Sequence, residues 1–194
     1  MGDYEIVQDS DPRCAELEAA GYRVVAESWA VRLSDPDRDL LESAVRRATA
    51  GGLIVRELGP ESASALHALE TTNQPDYPDT PATHHDIGDL ANVQALWSAN
   101  RVFGAFDGNR LVGATVIREH EGRGETAFTS VLAAYRRRGV GQAVKAASIL
   151  AFLDVGITRF GTGGAATNQA SLQANQSLGY VLTERWRTYA PAES

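Results

Sequence analysis

A mixed α+β fold, one sheet with helices on both faces, is the class this chain predicts, and three observations predict it. From Gly52 onward, β-type and helix-periodic runs alternate in the order β-α-α-β-β-β-α-β-α-β-β, the pattern of a sheet layered with helices. Two β runs, at 102–106 and 111–117, flank Asp107-Gly108-Asn109, a turn composition that closes a hairpin. The 194 residues with 43% hydrophobic content suffice for one good core and make one domain the default.

Each element has a local reason. Residues 22–33 form an apolar strand and residues 35–48 a helix with Leu40, Leu41, Ala44, Val45 and Ala48 inward. An unpaired apolar strand is an aggregation liability, so 22–33 is expected to pair with the main sheet, in cis or by exchange in a homodimer. A strand at 53–58 follows Gly51-Gly52, and Pro60-Glu61-Ser62 opens a helix with Ala65, Leu66 and Leu69 apolar. Pro75, Pro78 and Pro81 make 73–83 a loop, and a short helix is expected over 87–98. After the hairpin, Glu121-Gly122-Arg123-Gly124 turns into a strand at 125–132. The helix from Gly139 has Val140, Val144, Ala147 and Ala151 on one face. A strand at 157–161, a helix and a final pair of strands around 181–182 and 185–189 complete the chain.

The chemistry concentrates between the strand at 125–132 and the helix after it. Arg136-x-x-Gly139-x-Gly141 sits at a strand-to-helix junction. Two residues without Cβ let the backbone pass close to a ligand, and the helix N-terminus favours negative charge. Arg136, Arg137 and Arg138 stand together in a chain of net charge −7, a local reversal that a bound pyrophosphate explains. Further on, Asn168, Ser171, Asn175 and Leu178 recur at helical spacing, one polar face of one helix.

These two blocks resemble the GNAT acyltransferase superfamily. Arg136-x-x-Gly139-x-Gly141 is similar to its acetyl-CoA pyrophosphate loop. Thr167-Asn168-x-x-Ser171-x-x-x-Asn175-x-x-Leu178-Gly179-Tyr180 is similar to the second half of its signature, and the resemblance covers about residues 52–190. It implies a mostly antiparallel sheet with a splayed central strand pair. It also implies an acetyl-CoA cosubstrate, with pyrophosphate on the backbone from Arg137 through Gly139, Val140 and Gly141 to Gln142, and with Arg136 and Arg138 as charge partners. Asn168 and Asn175 would be amide partners of the cofactor, and the Val131 N–H would polarise the thioester carbonyl. Glu125 stands eleven residues before Arg136, the spacing of the catalytic Glu in histone acetyltransferases of this superfamily, and is the candidate base. Where many members carry an acidic Tyr, this chain has Asn175, so the general acid is unassigned; a thiol of pKa near 8.5 can leave without one.

Ala20-Gly21-Tyr22 and the run to Trp29 resemble Leu178-Gly179-Tyr180 and the run to Trp186. Residues 1–34 therefore read as the tail of a first GNAT-like repeat, as in tandem proteins of the mycothiol synthase type. Residues 35–51 read as a linker helix and 52–194 as the acyltransferase domain.

Other classes are disfavoured. No apolar run is long enough to span a membrane, the acidic N-terminus is unlike a secretory signal, and the single Cys14 fits a reducing, cytoplasmic setting. No basic stripe with aromatics points to nucleic acid. His84-His85-Asp86 reads as polar loop rather than a metal site. Gly161-Thr162-Gly163-Gly164 lacks the dinucleotide spacing. Asp76, Tyr77, Asp79, His84, His85 and Asp86 in the 73–89 segment would suit a cationic acceptor. The expected function is acetyl transfer to the amine of a small molecule or peptide; the alternative is a non-catalytic acyl-CoA-binding module.

Overall fold

The computed structural model describes every residue except 1–3, 78–79, 82, 84–85 and 193–194; His84 and His85 thus lie outside the described residues. Its elements in chain order are β1 (Glu5–Gln8), α1 (Arg13–Ala19), β2 (Tyr22–Ser34), α2 (Arg38–Ala50), β3 (Ile54–Leu58), α3 (Ala63–Asn73), α4 (Leu90–Ala95), β4 (Arg101–Asp107), β5 (Arg110–His120), β6 (Arg123–Val131), α5 (Val140–Leu153), β7 (Arg159–Ala165), α6 (Gln169–Gln176) and β8 (Val181–Pro191). The strands form one eight-stranded sheet in the order β1-β8-β2-β7-β6-β5-β4-β3. All neighbours are antiparallel except β6 and β7.

The alternation of β5 divides two cores. Val112, Ala114 and Val116 pack with Leu66 and Leu69 of α3 and Val93 of α4. Ile117, of opposite parity, packs with Leu41 and Ala44 of α2, with Ile149 and Phe152 of α5, and with Leu172 of α6. Side chains two apart share a face and neighbours do not, so helices cover both sides. Local chemistry starts these helices where the sequence suggests. Asp37 caps α2, its Oδ1 accepting from the N–H groups of Asp39 and Leu40.

The parallel pair β6–β7 is joined only at Gly124–Phe160 and Glu125–Gly161. Beyond it the strands part, giving the splayed centre. A bulge at Ala127 marks the departure: Val116 pairs with Phe128, but Ile117 with Thr126. Such an extra residue bends a strand and raises its twist.

Several sequence expectations need correction. β1 was not foreseen; four residues are too few for a periodic signal. The final pair of strands is one continuous strand, β8. The helix expected over 87–98 is only α4 followed by a 3-10 turn at Leu96–Ser98. β7 runs through Gly161, Gly163 and Gly164 to Ala165, so that glycine run is strand interior and not a nucleotide-binding turn. Its purpose is packing: a Cβ on Gly164 would lie 2.6 Å from the Trp29 ring, and one on Gly163 2.9 Å from the Trp29 carbonyl oxygen.

β2 pairs in cis, between β8 and β7. The unit β1–α1–β2 and the unit β7–α6–β8 are interchangeable in the sheet: the order β1-β8-β2-β7 reads the same when the two are swapped. Tyr22 pairs with Pro191 and Arg32 with Val181, start to end in both directions. Both helices turn into their strands on a left-handed glycine, Gly21 at φ 86° and Gly179 at φ 95°.

Candidate active site

The gap between β6 and β7 opens into a cavity of about 700 Å³ lined by the end of β6, the turn after it, the first turns of α5, and α6. Of the residues singled out from the sequence, Val131, Arg136, Arg137, Gly139, Val140, Gly141, Gln142, Asn168 and Asn175 line it. Arg138 and Glu125 do not.

The floor of this cavity is backbone. Gly139 caps α5 at φ 78° and Arg137 holds φ 60°. The Ala143 N–H is the first to bond within the helix, to the Gly139 carbonyl. The N–H groups of Val140, Gly141 and Gln142 therefore have no acceptor within their own helix, and they stand at the positive end of its dipole. On β6, the Leu132 N–H donates to the Val112 carbonyl. Antiparallel pairs alternate, so Val131, one residue back, directs its N–H and C=O away from β5 and toward the gap. Its C=O accepts from Arg136 Nε at 2.9 Å.

The arginines divide their roles differently from the sequence expectation. Arg136 also donates through Nη2 to Asp76 (2.6 Å) and Asn73 (3.3 Å). It is a clamp joining the end of β6 to the segment after α3, and its charge is already matched. Arg138 lies over the Tyr135 ring, 5.6 Å from its centroid, outside the cavity. Arg137 is the arginine left to face a ligand there.

The asparagines are likewise engaged within the fold. Asn168 caps α6 by accepting from the Ser171 N–H at 3.1 Å, which leaves its amide NH₂ on the cavity. Asn175 is 1% exposed. It donates to the Ser171 carbonyl and accepts from Lys145 Nζ, so both ends of its amide are used and its reading as a cofactor partner is revised.

Lys145 is the residue the sequence reading missed. It is buried on α5 at the cavity wall, bonded to Asn175 and 5.8 Å from the centroid of the Tyr180 ring. Burial pushes its ammonium down to about 7, because a cation loses hydration there and gains only neutral partners. The signal was present: Lys145 is the one charged residue of α5 and lies four beyond Gly141, on the same face. Tyr77, also on the cavity, donates to Glu70 Oε2 at 2.9 Å. Its hydroxyl is held well above the usual tyrosine range, first by burial and then by the Glu70 charge.

Glu125 stands at the last joined rung of β6 and β7, where the gap begins. Its carboxylate lies over Gly161, whose added Cβ would sit 2.5 Å from Oε2. Arg32 and Arg123 flank it at 3.9 and 3.8 Å. Among the described residues, no group of His, Cys, Asp and Glu could hold a metal ion, and no helix is long and apolar enough to cross a membrane.

Comparison with known proteins bears on the family and the fold. Residues 65–180 match the family model of the acetyltransferase (GNAT) family. No curated protein matches the chain in sequence. In fold, it is similar to a GCN5-related N-acetyltransferase from Sphaerobacter thermophilus, with TM-score 0.71 and 16% identity, over 96% of this chain and 58% of that one. A GCN5-related N-acetyltransferase from Kribbella flavida gives TM-score 0.65 and 16% identity over 98% of this chain and 68% of that one. A tandem GNAT protein from the clavulanic acid biosynthesis pathway gives TM-score 0.64 and 16% identity over 98% of this chain and 65% of that one. The chain thus spans less than two thirds of the first and third of these.

Proposed function

This chain belongs to the acetyltransferase (GNAT) family, and we propose that it transfers an acetyl group from acetyl-CoA to an amine by direct attack on the thioester. The observation that carries the reading is convergence: the free N–H groups at the start of α5, Arg137 and the gap-facing N–H of Val131 meet on one cavity. That set fits a diphosphate at one end and a carbonyl at the other. In this reading Val140, Gly141 and Gln142 bind the pyrophosphate and Asn168 contacts the pantetheine arm. Val131 supports the carbonyl oxygen as charge develops on it. The amine nitrogen bonds to the carbonyl carbon, the C–S bond breaks, and the thiolate leaves. Glu125, six residues back along β6 and outside the cavity, takes through intervening waters the proton that the attacking amine must lose; such an amine is mostly protonated at neutral pH. The exchangeable β1–α1–β2 and β7–α6–β8 units support reading residues 1–34 as the tail of a first GNAT-like repeat.

The test is thiol release from acetyl-CoA over a panel of amines, with calorimetry of acetyl-CoA binding beside it. Release that depends on an acceptor is the expected result, and Gly141→Glu should abolish both binding and release. A Cβ at Gly141 points toward Val131 and Thr129 at 3.5 and 3.8 Å, so the added carboxylate enters the cradle. Unchanged affinity in that variant would remove the loop assignment. Binding without release from any acceptor would favour the non-catalytic module.

A further inference from the structure

A second pocket, of about 510 Å³, lies on the Glu125 side of the splay and is lined by Arg32, Arg118, His120, Arg123, Glu125 and Thr126 among others. Register explains why these side chains meet. Arg118 pairs with Glu125, Glu125 with Gly161, and Gly161 with Arg32. They form one rung across four strands, and side chains on a rung share a face. His120 and Arg123 pair on the rung two residues further along, hence on the same face. Gly161 keeps the rung open, since a Cβ there would lie 2.5 Å from Arg32 Nη1.

The pocket is short of anionic acceptors. Three guanidiniums and an imidazole line it against the single carboxylate of Glu125, in a chain whose net charge is −7. Glu184 and Glu121 approach from the flanks, at 3.7 Å from Arg32 and 3.5 Å from Arg123. All of the ion pairs around Arg32 and Arg123 are 3.5–3.9 Å long, and none of them is a hydrogen bond. Arg123 Nε is buried without a hydrogen-bond acceptor. Arg118 has no ion pair among the described residues. Native proteins rarely leave buried donors unmet, and guanidinium forks match carboxylate and phosphate oxygens two at a time.

We infer that this pocket is the acceptor's oxyanion subsite, so that the preferred acceptor is an amine bearing a carboxylate or phosphate group. The inference rests on the acetyltransferase reading for its direction: the oxyanion sits on Arg118 and Arg123, and the acceptor extends from there past Glu125 along β6, so that its amine reaches the Val131 end of the strand. It also departs from the cationic acceptor that the acidic 73–89 segment suggested. Asp76, a carboxylate of that segment that lines the cavity, is already paired with Arg136.

The experiment uses matched acceptors with the full chain, each long enough to span from this pocket to the Val131 end of β6: a short peptide against its C-terminal amide, and a long-chain aminoalkyl phosphate against the corresponding amino alcohol. The oxyanion-bearing member of at least one pair should have kcat/KM about tenfold or more above its neutral partner, and the pair with the larger ratio identifies the oxyanion. Arg118→Gln should raise KM for that acceptor by a similar factor and collapse the ratio, while acetyl-CoA affinity by calorimetry stays at the wild-type value. Equal use of both members of each pair would overturn the subsite. Calorimetry of the oxyanion acceptor alone separates the two readings. Binding lost in Arg118→Gln, with no thiol release in any assay, would sustain the subsite and overturn the acetyltransferase reading; no binding at millimolar acceptor would overturn the subsite.

Discussion

The two β–α–β units that interlock at one end of the sheet follow the same path and end in different chemistry. In β1–α1–β2 the helix closes over a small core of Val7, Cys14 and Tyr189. Its last turn is tied down by Glu18, which accepts from Tyr189 Oη at 3.0 Å. In β7–α6–β8 the helix borders the large cavity and presents Asn168 and Ser171 to it. What differs is the neighbour. β1 is an outer strand paired only with β8, whereas β7 lies beside β6, and β6 leaves it after two residue pairs. A site arises where a neighbouring strand lets go, and the unit itself is generic.

The largest effect should come from the seam that joins the units. Trp29 is 2% exposed, lies on Gly164 and donates Nε1–H to the Ala165 carbonyl at 2.9 Å. Trp29→Ala should cost about 3–5 kcal/mol in denaturant unfolding. If the N-terminal unit were an appendage to the sheet, the loss would be small and acetyl-CoA affinity untouched.

Next in size is a pH effect confined to the C-terminal side. Lys145 is depressed to about 7 in the fold from 10.5, so above pH 7 the unfolded chain holds a proton that the folded one lacks. Stability therefore rises with pH in that window. From pH 7 to 9.5 the gain should approach about 3 kcal/mol at 1.36 kcal/mol per unit, and Lys145→Met should flatten it. A wild-type protein without that slope would mean that Lys145 is hydrated in solution.

The smallest test concerns the two helix starts. Asn168 caps α6 with its side chain, while Pro12 at the start of α1 makes no side-chain cap. Asn168→Ala should cost about 1 kcal/mol and weaken acetyl-CoA binding as well. Loss of stability with affinity intact would leave Asn168 a cap alone.

What could be read from the sequence was local. The glycines and arginines at 136–141, the hairpin at Asp107-Gly108 and the Asn168–Asn175 spacing each lie within a few residues. Fold class and cavity both follow from them. The features that escaped are products of register. β1 is too short to show a period, and the glycines of β7 answer to Trp29, more than 130 positions earlier. Arg136 is matched by Asp76 across 60 positions, and Lys145 is buried by Asn175 across 30. A residue's type announces what it can do; its partners decide what remains available.

Arg136 has one more consequence. The same guanidinium secures the carbonyl end of β6 and holds Asp76 after α3. One side chain thus ties the end of β6 to Asp76, so a displacement at either is felt at the other.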